Sequence, residues 1–260
     1  MTPELLAECR EIAAQAGQMV RERWNRPRTI AHKGQIDLVT DTDRAVEDYL
    51  RDKLCRLLPE AAFLGEESAL KQADALKNGL CWVVDPVDGT TNFVHRIPMV
   101  GISVALCDAG KPVLGVVEAP MLAETYTALK GHGSCCNSEP VRVSRADRLV
   151  DSLVATGFPY EVKPQLELLL GRLAAVLPAT QGLRRPGAAS IDLAWVGCGR
   201  LDVFYEDGLK PWDMAAGWLF VTEAGGCVTD FAGAPAGFGK SLLASNGLVH
   251  ADFVKLLKLS

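Results

Sequence analysis

The chain has 260 residues, with 27 basic and 32 acidic side chains and a formal net charge of −5. Its 48% hydrophobic and 23% charged residues are typical of a globular protein, which excludes a disordered, collagen-like or coiled-coil chain. The acidic balance disfavours nucleic acid as the chief ligand, because proteins that bind phosphate backbones carry a basic excess.

The sequence favours a cytoplasmic protein over an exported or membrane-bound one. No apolar run approaches the ~18 residues that span a bilayer, and Thr2-Pro3-Glu4 is typical of a helix start rather than of a signal peptide. The eight cysteines are scattered and form no C-x-x-C pair. We therefore expect reduced thiols in a cytoplasm and no membrane partner.

The first half of the chain is predicted to begin with helices and to continue with strands. Apolar side chains recur at helical spacing over 3–22 and 43–58, and Pro59 ends the second helix. Short apolar runs bounded by turn residues then predict strands at 62–65, 80–84, 100–107, 113–117 and 125–129.

After about residue 150 strands and helices alternate. Strands are predicted at 154–155, 203–205 and 227–229, and helices at 162–177, 188–198, 213–223 and 248–258. Elements of both halves are expected to share layers. We therefore expect one compact body with an N-terminal α+β half, 1–145, and a C-terminal α/β half, 146–260.

The strongest local signal is the segment from Asp85 to Thr90, which reads D-P-V-D-G-T. A buried strand places Asp85 at its end, and Asp88 follows across a turn that proline and glycine favour. Two carboxylates so close repel each other unless a proton or a cation lies between them. Oxygen ligands with few histidines suit Mg²⁺ or Mn²⁺ rather than zinc, and the helix start at 89–91 can bind an anion.

Two further acids lie in similar settings: Glu66 follows the strand at 62–65, and Asp213 stands where a loop meets a helix. Taken singly, each acid has an ordinary alternative, namely a turn for Asp85 and Asp88, a solvated pair for Glu66 and a plain N-cap for Asp213. Together, acids at strand ends and helix starts are expected to converge at the C-terminal edge of a sheet. Carboxylates for metal beside a site for phosphate are typical of phosphoryl transfer.

Several blocks, in the same order and across nearly the whole chain, match the motifs of one family. They are Asp37–Thr40 with Asp43, Gly65–Ser68, Asp85–Phe93, Gly157–Pro159, Trp212–Gly217 and Glu223–Gly226. By these blocks the chain resembles the inositol monophosphatase family of Mg²⁺-dependent, lithium-sensitive phosphatases. The resemblance implies an α/β (α+β) fold, a five-layer αβαβα sandwich of the type shared with fructose-1,6-bisphosphatase, and usually a homodimer.

The resemblance also assigns metal ligands to residues of this chain. Glu66, Asp85 and the carbonyl of Val87 would hold one Mg²⁺, while Asp85, Asp88 and Asp213 would hold a second. Glu66 would also reach a weaker third ion. Mn²⁺ is an expected substitute and Li⁺ an expected inhibitor.

For the reaction, the resemblance implies that Gly89 and Thr90 donate backbone N–H groups to the substrate phosphate. Thr90, hydrogen-bonded to Asp43, would orient or deprotonate the attacking water, and Glu66 joins them as a catalytic residue. The physical chemistry agrees, since two ions ~3.5–4 Å apart stabilise both the attacking and the leaving oxygen of an in-line displacement.

Glu206 and Ala189 stand where the family contacts the hydroxyl groups of the sugar. A surface acid at the end of a strand is an equally good interpretation of Glu206. Ala188 replaces the hydroxyl residue that usually precedes Ala189, which leaves the substrate detail open. Lys33 matches a mobile basic lid position, and a solvated lysine is the alternative.

The expected activity is hydrolysis of inositol-1-phosphate or a similar small polyol phosphate, because the run Asn92–Arg96 is similar to that of the inositol branch. Branches that act on histidinol phosphate, fructose-1,6-bisphosphate or adenosine-3′,5′-bisphosphate share the metal motifs, so these substrates stay open. A second role in a transcription or ribosome-maturation complex also stays open, with Arg184-Arg185 as its surface feature. The complete set of four acids argues against an inactive scaffold.

Other patterns are set aside. Gly239-Lys240-Ser241 lacks the earlier glycine of a phosphate-binding loop, since position 234 is alanine. The four histidines lie far apart in the sequence and no G-x-S-x-G segment occurs, so a serine or zinc hydrolase is unsupported.

Overall fold

The computed structural model describes residues 1–26, 30–32, 38–68, 75–77, 79–159, 161–239 and 241–258. These residues form seven α-helices and fourteen strands, arranged around two large sheets. The expected lid residue Lys33, and also Asp37 and Lys240, lie outside the described residues. Within the described ranges, no helix combines the length and the apolar character needed to cross a bilayer.

Two helices form the outer layer on one face of the larger sheet, α1 (Pro3–Arg23) and α2 (Asp41–Leu57). The hydroxyl of Thr2 caps α1 by accepting a backbone N–H at 3.3 Å. Thr40 caps α2, and Asp43 completes the capping box by accepting the N–H of Thr40 at 2.9 Å. Because the box places the N-cap at Thr40, α2 begins at Asp41, two residues earlier than the sequence pattern predicts.

The larger sheet has seven strands in the order β3-β4-β5-β6-β7-β8-β9. Their bounds are Ala62–Gly65, Leu80–Asp88, Gly101–Asp108, Lys111–Ala119, Glu124–Leu129, Gly133–Cys136 and Glu139–Val141. β3 and β4 are parallel, and all the other pairs in this sheet are antiparallel. The parallel pair brings the C-terminal ends of β3 and β4 to the same edge.

The smaller sheet has five strands in the order β11-β10-β12-β14-β13. In chain order their bounds are Leu153–Thr156 (β10), Gly182–Arg184 (β11), Val203–Glu206 (β12), Cys227–Thr229 (β13) and Leu242–Ser245 (β14). β10 is parallel to β11 and β12, whereas β14 is antiparallel to β12 and β13. The short strands β1 (Ile30–His32) and β2 (Leu38–Thr40) pair separately.

Two helices lie between the sheets, α5 (Ala189–Gly197) and α6 (Pro211–Glu223), and both are apolar nearly all round, as burial between two sheets requires. Helices α4 (Leu166–Ala179) and α7 (His250–Lys258) cover the outer face of the smaller sheet. Four apolar clusters fill the spaces between successive layers. They confirm the five-layer αβαβα fold that the family resemblance implies.

The structure differs from the sequence pattern mainly in short or irregular strands. β4 does not stop at Asp85 but continues to Asp88, with a shift of register against β5 between those two residues. Strands β1, β2, β8, β9, β11 and β14 are not predicted; each is short and is stabilised by pairing rather than by a local pattern. The helix predicted at 162–177 begins at Leu166, after one 3₁₀ turn.

Candidate active site

Asp85 and Glu66 lie side by side at the edge where β3 and β4 end. Gly65 pairs with Val84, and the N–H of Glu66 donates to the carbonyl of Val84 at 3.1 Å, so the chain leaves β3 beside Asp85. Asp85 is 2% exposed, and its Oδ1 accepts the N–H of Val87 at 3.0 Å across the bulge. A hydrogen bond also joins the Glu66 and Asp85 carboxyl groups. Burial, followed by the charges of nearby carboxylates, raises the pKa of Asp85 well above its usual value.

Asp88 connects the larger sheet to helix α5. Its Oδ2 accepts the N–H of Ser190 at 2.7 Å and the hydroxyl of Ser190 at 2.5 Å, and the backbone N–H of Ala189 also donates to it. Burial raises the pKa of Asp88 to about 6 in spite of these donors. The first turn of α5, in the helical layer between the sheets, therefore fixes a carboxylate that belongs to the larger sheet.

Asp213 reaches the same place from the first turn of α6. Its Oδ2 accepts the N–H of Lys210 at 2.7 Å, so the side chain closes its own helix end. The hydroxyl of Ser103 on β5 donates to the carbonyl of Trp212 at 2.9 Å and ties this end to the larger sheet. Burial raises the pKa of Asp213 well above its usual value, and the charge of Glu66 adds to the effect.

The structure thus brings together four acids that lie far apart in the sequence: Glu66, Asp85, Asp88 and Asp213. Among the described residues, no three Asp, Glu, His or Cys side chains stand close enough as they are to enclose a metal ion. The chemistry of the donors still fits one. The carboxyl groups raise one another's pKa here. Among the described residues, no basic side chain is one of the main groups that shift the pKa of Asp85 or Asp213. A hard divalent cation, drawing these oxygens inward, would offset that repulsion.

The predicted partners Thr90 and Asp43 are hydrogen-bonded. The Thr90 hydroxyl lies 3.0 Å from Oδ1 of Asp43 and 3.0 Å from the carbonyl of Val87, and it donates its one proton to either. Asp43 is fully buried, and its Oδ2 accepts from both the N–H and the hydroxyl of Thr40. Burial raises the pKa of Asp43 while these donors lower it. A hydroxyl that donates to Asp43 keeps its lone pairs for a water molecule.

Helix α3 (Thr90–His95) begins directly after Gly89, which has a left-handed φ of 87°. A Cβ at Gly89 would lie 2.7 Å from the carbonyl oxygen of Met99, so both φ and space require glycine. The amide of Asn92 donates to the carbonyl of Met99 at 2.8 Å and to that of Pro186 at 2.9 Å. This amide fixes α3 between two loops, so that the first N–H groups of the helix lie next to Asp88.

Glu206 and Ala189 lie on the smaller-sheet side of the site. Glu206 ends β12, and a Cβ at Gly157 would overlap its carboxylate. Burial raises the pKa of Glu206 to about 8, and the Arg185 guanidinium opposes the rise. Ala189 starts α5, which has no side-chain cap because Ala188 stands at the N-cap without a hydroxyl.

Three residues that contribute to the site are not found by the sequence patterns: Ser190, Asn92 and Asp192. Asn92 lies inside the block Asp85–Phe93 and Ser190 directly follows Ala189, but nothing in the sequence shows which groups their side chains contact. Asp192, on α5, is 1% exposed, and its Oδ1 has no hydrogen-bond partner among the described residues. Burial, and then the charges of Asp88 and Glu206, raise its pKa well above the usual value.

The profile of the inositol monophosphatase family matches residues 2–258. The chain belongs to the inositol monophosphatase family. Members of this family are phosphatases that act on phosphate monoesters, and they are generally metal-dependent. The resemblance predicted from the sequence blocks is thereby confirmed, as is the prediction of a phosphoric monoester hydrolase.

Individual relatives agree with this family assignment. The chain is 38% identical over 261 residues to inositol monophosphatase 1 of Solanum lycopersicum, covering 99% of this chain and 96% of that protein. It is 37% identical over 223 residues to Nus factor SuhB of Escherichia coli, covering 85% and 83%. The solved inositol monophosphatase of Anabaena (Nostoc) is 33% identical and superposes with a TM-score of 0.87 over 97% of this chain and 94% of that one.

Proposed function

We propose that this protein hydrolyses inositol-1-phosphate, and other myo-inositol monophosphates, to inositol and phosphate. The observation that carries the proposal is the meeting of Glu66, Asp85, Asp88 and Asp213 beside the start of α3 and the Thr90–Asp43 pair. Relatives named inositol monophosphatase support inositol as the alcohol. Histidinol phosphate, fructose-1,6-bisphosphate and adenosine-3′,5′-bisphosphate are the alternative substrates, because the branches that act on them share the metal motifs.

The cofactor in this proposal is Mg²⁺, at two to three ions per site, with Mn²⁺ as a substitute and Li⁺ as an inhibitor. Glu66, Asp85 and the carbonyl of Val87 would hold one ion, and Asp85, Asp88 and Asp213 would hold a second. When bound, such ions supply positive charge to the phosphoryl oxygens and lower the pKa of water. The all-oxygen donor set supports Mg²⁺ over zinc.

The chain's own groups bind the phosphate and direct the water. The backbone N–H groups of Gly89 and Thr90, which have no partner inside α3, donate to phosphate oxygens. The Thr90 hydroxyl donates to Asp43 and accepts from the attacking water, which holds that water in line with the phosphorus. The ring of hydrogen bonds from Thr40 to Asp43 keeps the acceptor in place. Glu66 is the further catalytic residue in this scheme.

Selection of the alcohol is assigned to Glu206 and Ala189. Glu206 accepts hydrogen bonds from inositol hydroxyls, and its confinement against Gly157 supports a fixed direction for the carboxylate. Ala189 supplies a small apolar contact at the start of α5. Since Ala188 lacks a hydroxyl, this edge of the site offers the substrate one polar group fewer than the usual family pattern.

The test is phosphate release from inositol-1-phosphate and the three alternative substrates in Mg²⁺. Wild type with EDTA and the Asp88→Asn variant are the controls. A preference for inositol-1-phosphate that both controls abolish supports the proposal. A preference for another substrate keeps the mechanism and changes the alcohol, whereas no turnover with any of the four contradicts the proposed function.

The same proposal includes a homodimer in the cytoplasm. Four leucines of α4 are exposed, which supports an apolar contact surface on this helix: Leu166, Leu168, Leu170 and Leu177. The eight cysteines are free, as expected in a reducing compartment. Light scattering after gel filtration should give twice the chain mass of 27.9 kDa, and a monomer at micromolar concentration would contradict the dimer.

A second candidate function is binding within a transcription complex. The relative named Nus factor SuhB supports it, and Arg184, exposed at the end of β11, is a cation that such a partner could contact. Pull-down with RNA polymerase and Nus-type factors tests it, with wild type and Asp88→Asn in parallel. If wild type and Asp88→Asn both capture RNA polymerase or Nus-type factors, the role is supported. If neither of the two captures them, the role is contradicted.

A further inference from the structure

Arg172, on α4, is buried behind the end of β12. Its side chain is 12% exposed, and its guanidinium lies 4.6 Å from the centre of the Phe231 ring. Nη1 of Arg172 stands 3.6 Å from Oδ2 of Asp207. Asp207 directly follows Glu206, so this ion pair reaches the residue next to the proposed hydroxyl acceptor. A cation held by both a ring and a carboxylate is a fixed rather than a solvated group.

Glu206 is confined by the groups around it. Arg172, Gly157, Glu206 and Asp207 line the same narrow cavity, and Gly157 leaves no room for a Cβ beside the Glu206 carboxylate. Directly after Asp207 the chain turns through Gly208, which has a φ of 84°. The direction of Glu206 is therefore set by its contact with Gly157 and by the position of Asp207.

The charges explain why Asp207 needs a partner. Glu206 and Asp207 are adjacent acids, and the charge of Asp207 adds to burial in raising the pKa of Glu206. Arg172 balances Asp207 from the α4 side, which lowers the repulsion between the two acids. Without the guanidinium, the Asp207 side chain would lose its ion-pair partner on α4, and the end of β12 that carries Glu206 would lose that anchor.

We propose that Arg172 is a positioning residue for Glu206: by pairing with Asp207 it fixes the end of β12 so that the Glu206 carboxylate faces the hydroxyl groups of the substrate. The proposal rests on the proposed function, in which Glu206 accepts hydrogen bonds from a polyol phosphate. Asp213, in the first turn of α6, is held separately by the N–H of Lys210 at 2.7 Å. Metal binding should therefore not depend on Arg172.

The experiment compares two phosphate monoesters, inositol-1-phosphate and para-nitrophenyl phosphate, of which only the first carries alcohol hydroxyls. For Arg172→Met we expect KM for inositol-1-phosphate to rise about tenfold, as for other positioning contacts. The kinetic constants for para-nitrophenyl phosphate and the Mg²⁺ concentration at half-maximal activity should not change. Methionine keeps the apolar contact with Phe231 and removes only the charge.

Three further variants separate positioning from general damage. Asp207→Asn, added to Arg172→Met, removes the charge that Arg172 balances and should restore most of the lost affinity. Arg172→Lys keeps the positive charge but lacks the planar guanidinium, so its KM for inositol-1-phosphate should lie between those of wild type and Arg172→Met. If Arg172→Met fails to fold, Arg172→Lys takes its place in the test. Arg56→Met is the matched control, since Arg56 pairs with Asp52 at 2.6 Å with its side chain 75% exposed, and it should change nothing.

Glu206→Gln tells the possible failures apart. If it raises KM for inositol-1-phosphate alone while Arg172→Met and Arg172→Lys do not, the positioning role is wrong and the proposed function stands. The proposal is also overturned if Arg172→Met loses activity equally on both substrates and Asp207→Asn does not restore it, because that result shows a general structural role. If Glu206→Gln affects neither substrate, the assignment of Glu206 fails and the role of Arg172 fails with it.

Discussion

Ser190→Ala is the substitution that most sharply tests how the fold supports the metal ligands. The Ser190 hydroxyl donates to Oδ2 of Asp88 at 2.5 Å, and the backbone N–H of the same residue donates at 2.7 Å. A hydrogen bond to a charged group contributes about 1.5–3 kcal/mol. Because the backbone donor stays in place, we take the lower end, about 1.5 kcal/mol, which corresponds to an effect of about tenfold.

We therefore expect Ser190→Ala to raise the Mg²⁺ concentration at half-maximal activity about tenfold, with kcat at saturating Mg²⁺ largely kept. The assay is phosphate release from inositol-1-phosphate over a Mg²⁺ titration. Ser134→Ala is the matched control: its hydroxyl is also buried and donates to the carbonyl of Phe220 at 2.7 Å, but it lies away from the four acids. An unchanged Mg²⁺ dependence in Ser190→Ala would refute the reasoning.

Three other outcomes are expected. Asp213→Asn should lower activity about 100-fold or more while the melting temperature stays near wild type; near-normal turnover would remove Asp213 from the metal site. Thr90→Val should lower kcat about 100-fold and Thr90→Ser should not, because only the hydroxyl is needed; equal rates would contradict this. Without metal, stability should fall as pH rises from about 4 through 6, because folding raises the pKa of Asp88 from 3.8 to about 6 and the folded state then binds more protons. Thermal melts, in which Mg²⁺ should stabilise more at pH 7 than at pH 5, test the last point.

The fold was largely predictable because its main signals are local. The apolar run of β4 and the helical spacing of α1 and α2 identify the elements, and the family blocks identify their order. The patterns did not predict strands such as β8 and β14. Each has four residues, and pairing with the neighbouring strands fixes its conformation. The division into halves at residue 145 stays a prediction.

The candidate site was predictable in its acids but not in what holds them. Asp85, Asp88 and Asp213 follow from strand ends and helix starts, and the structure places them together. The support given to Asp88 by Ser190, across 102 positions of sequence, has no local signature. Contacts of this kind, like that of Arg172 with Asp207, depend on how layers pack and appear only in three dimensions. The roles assigned to all the candidate metal, catalytic and substrate-binding residues stay predictions.

The central claim is that the four acids at the meeting point of β3, β4 and α6 form the metal site of this phosphatase. The most direct measurement is a crystal structure with Mn²⁺ and phosphate, using the anomalous scattering of manganese to locate the ions. The account predicts at least two manganese peaks enclosed by Glu66, Asp85, Asp88 and Asp213, with phosphate next to the N–H groups of Gly89 and Thr90. Manganese bound only elsewhere, or no peak among these carboxylates at saturating Mn²⁺, would contradict it.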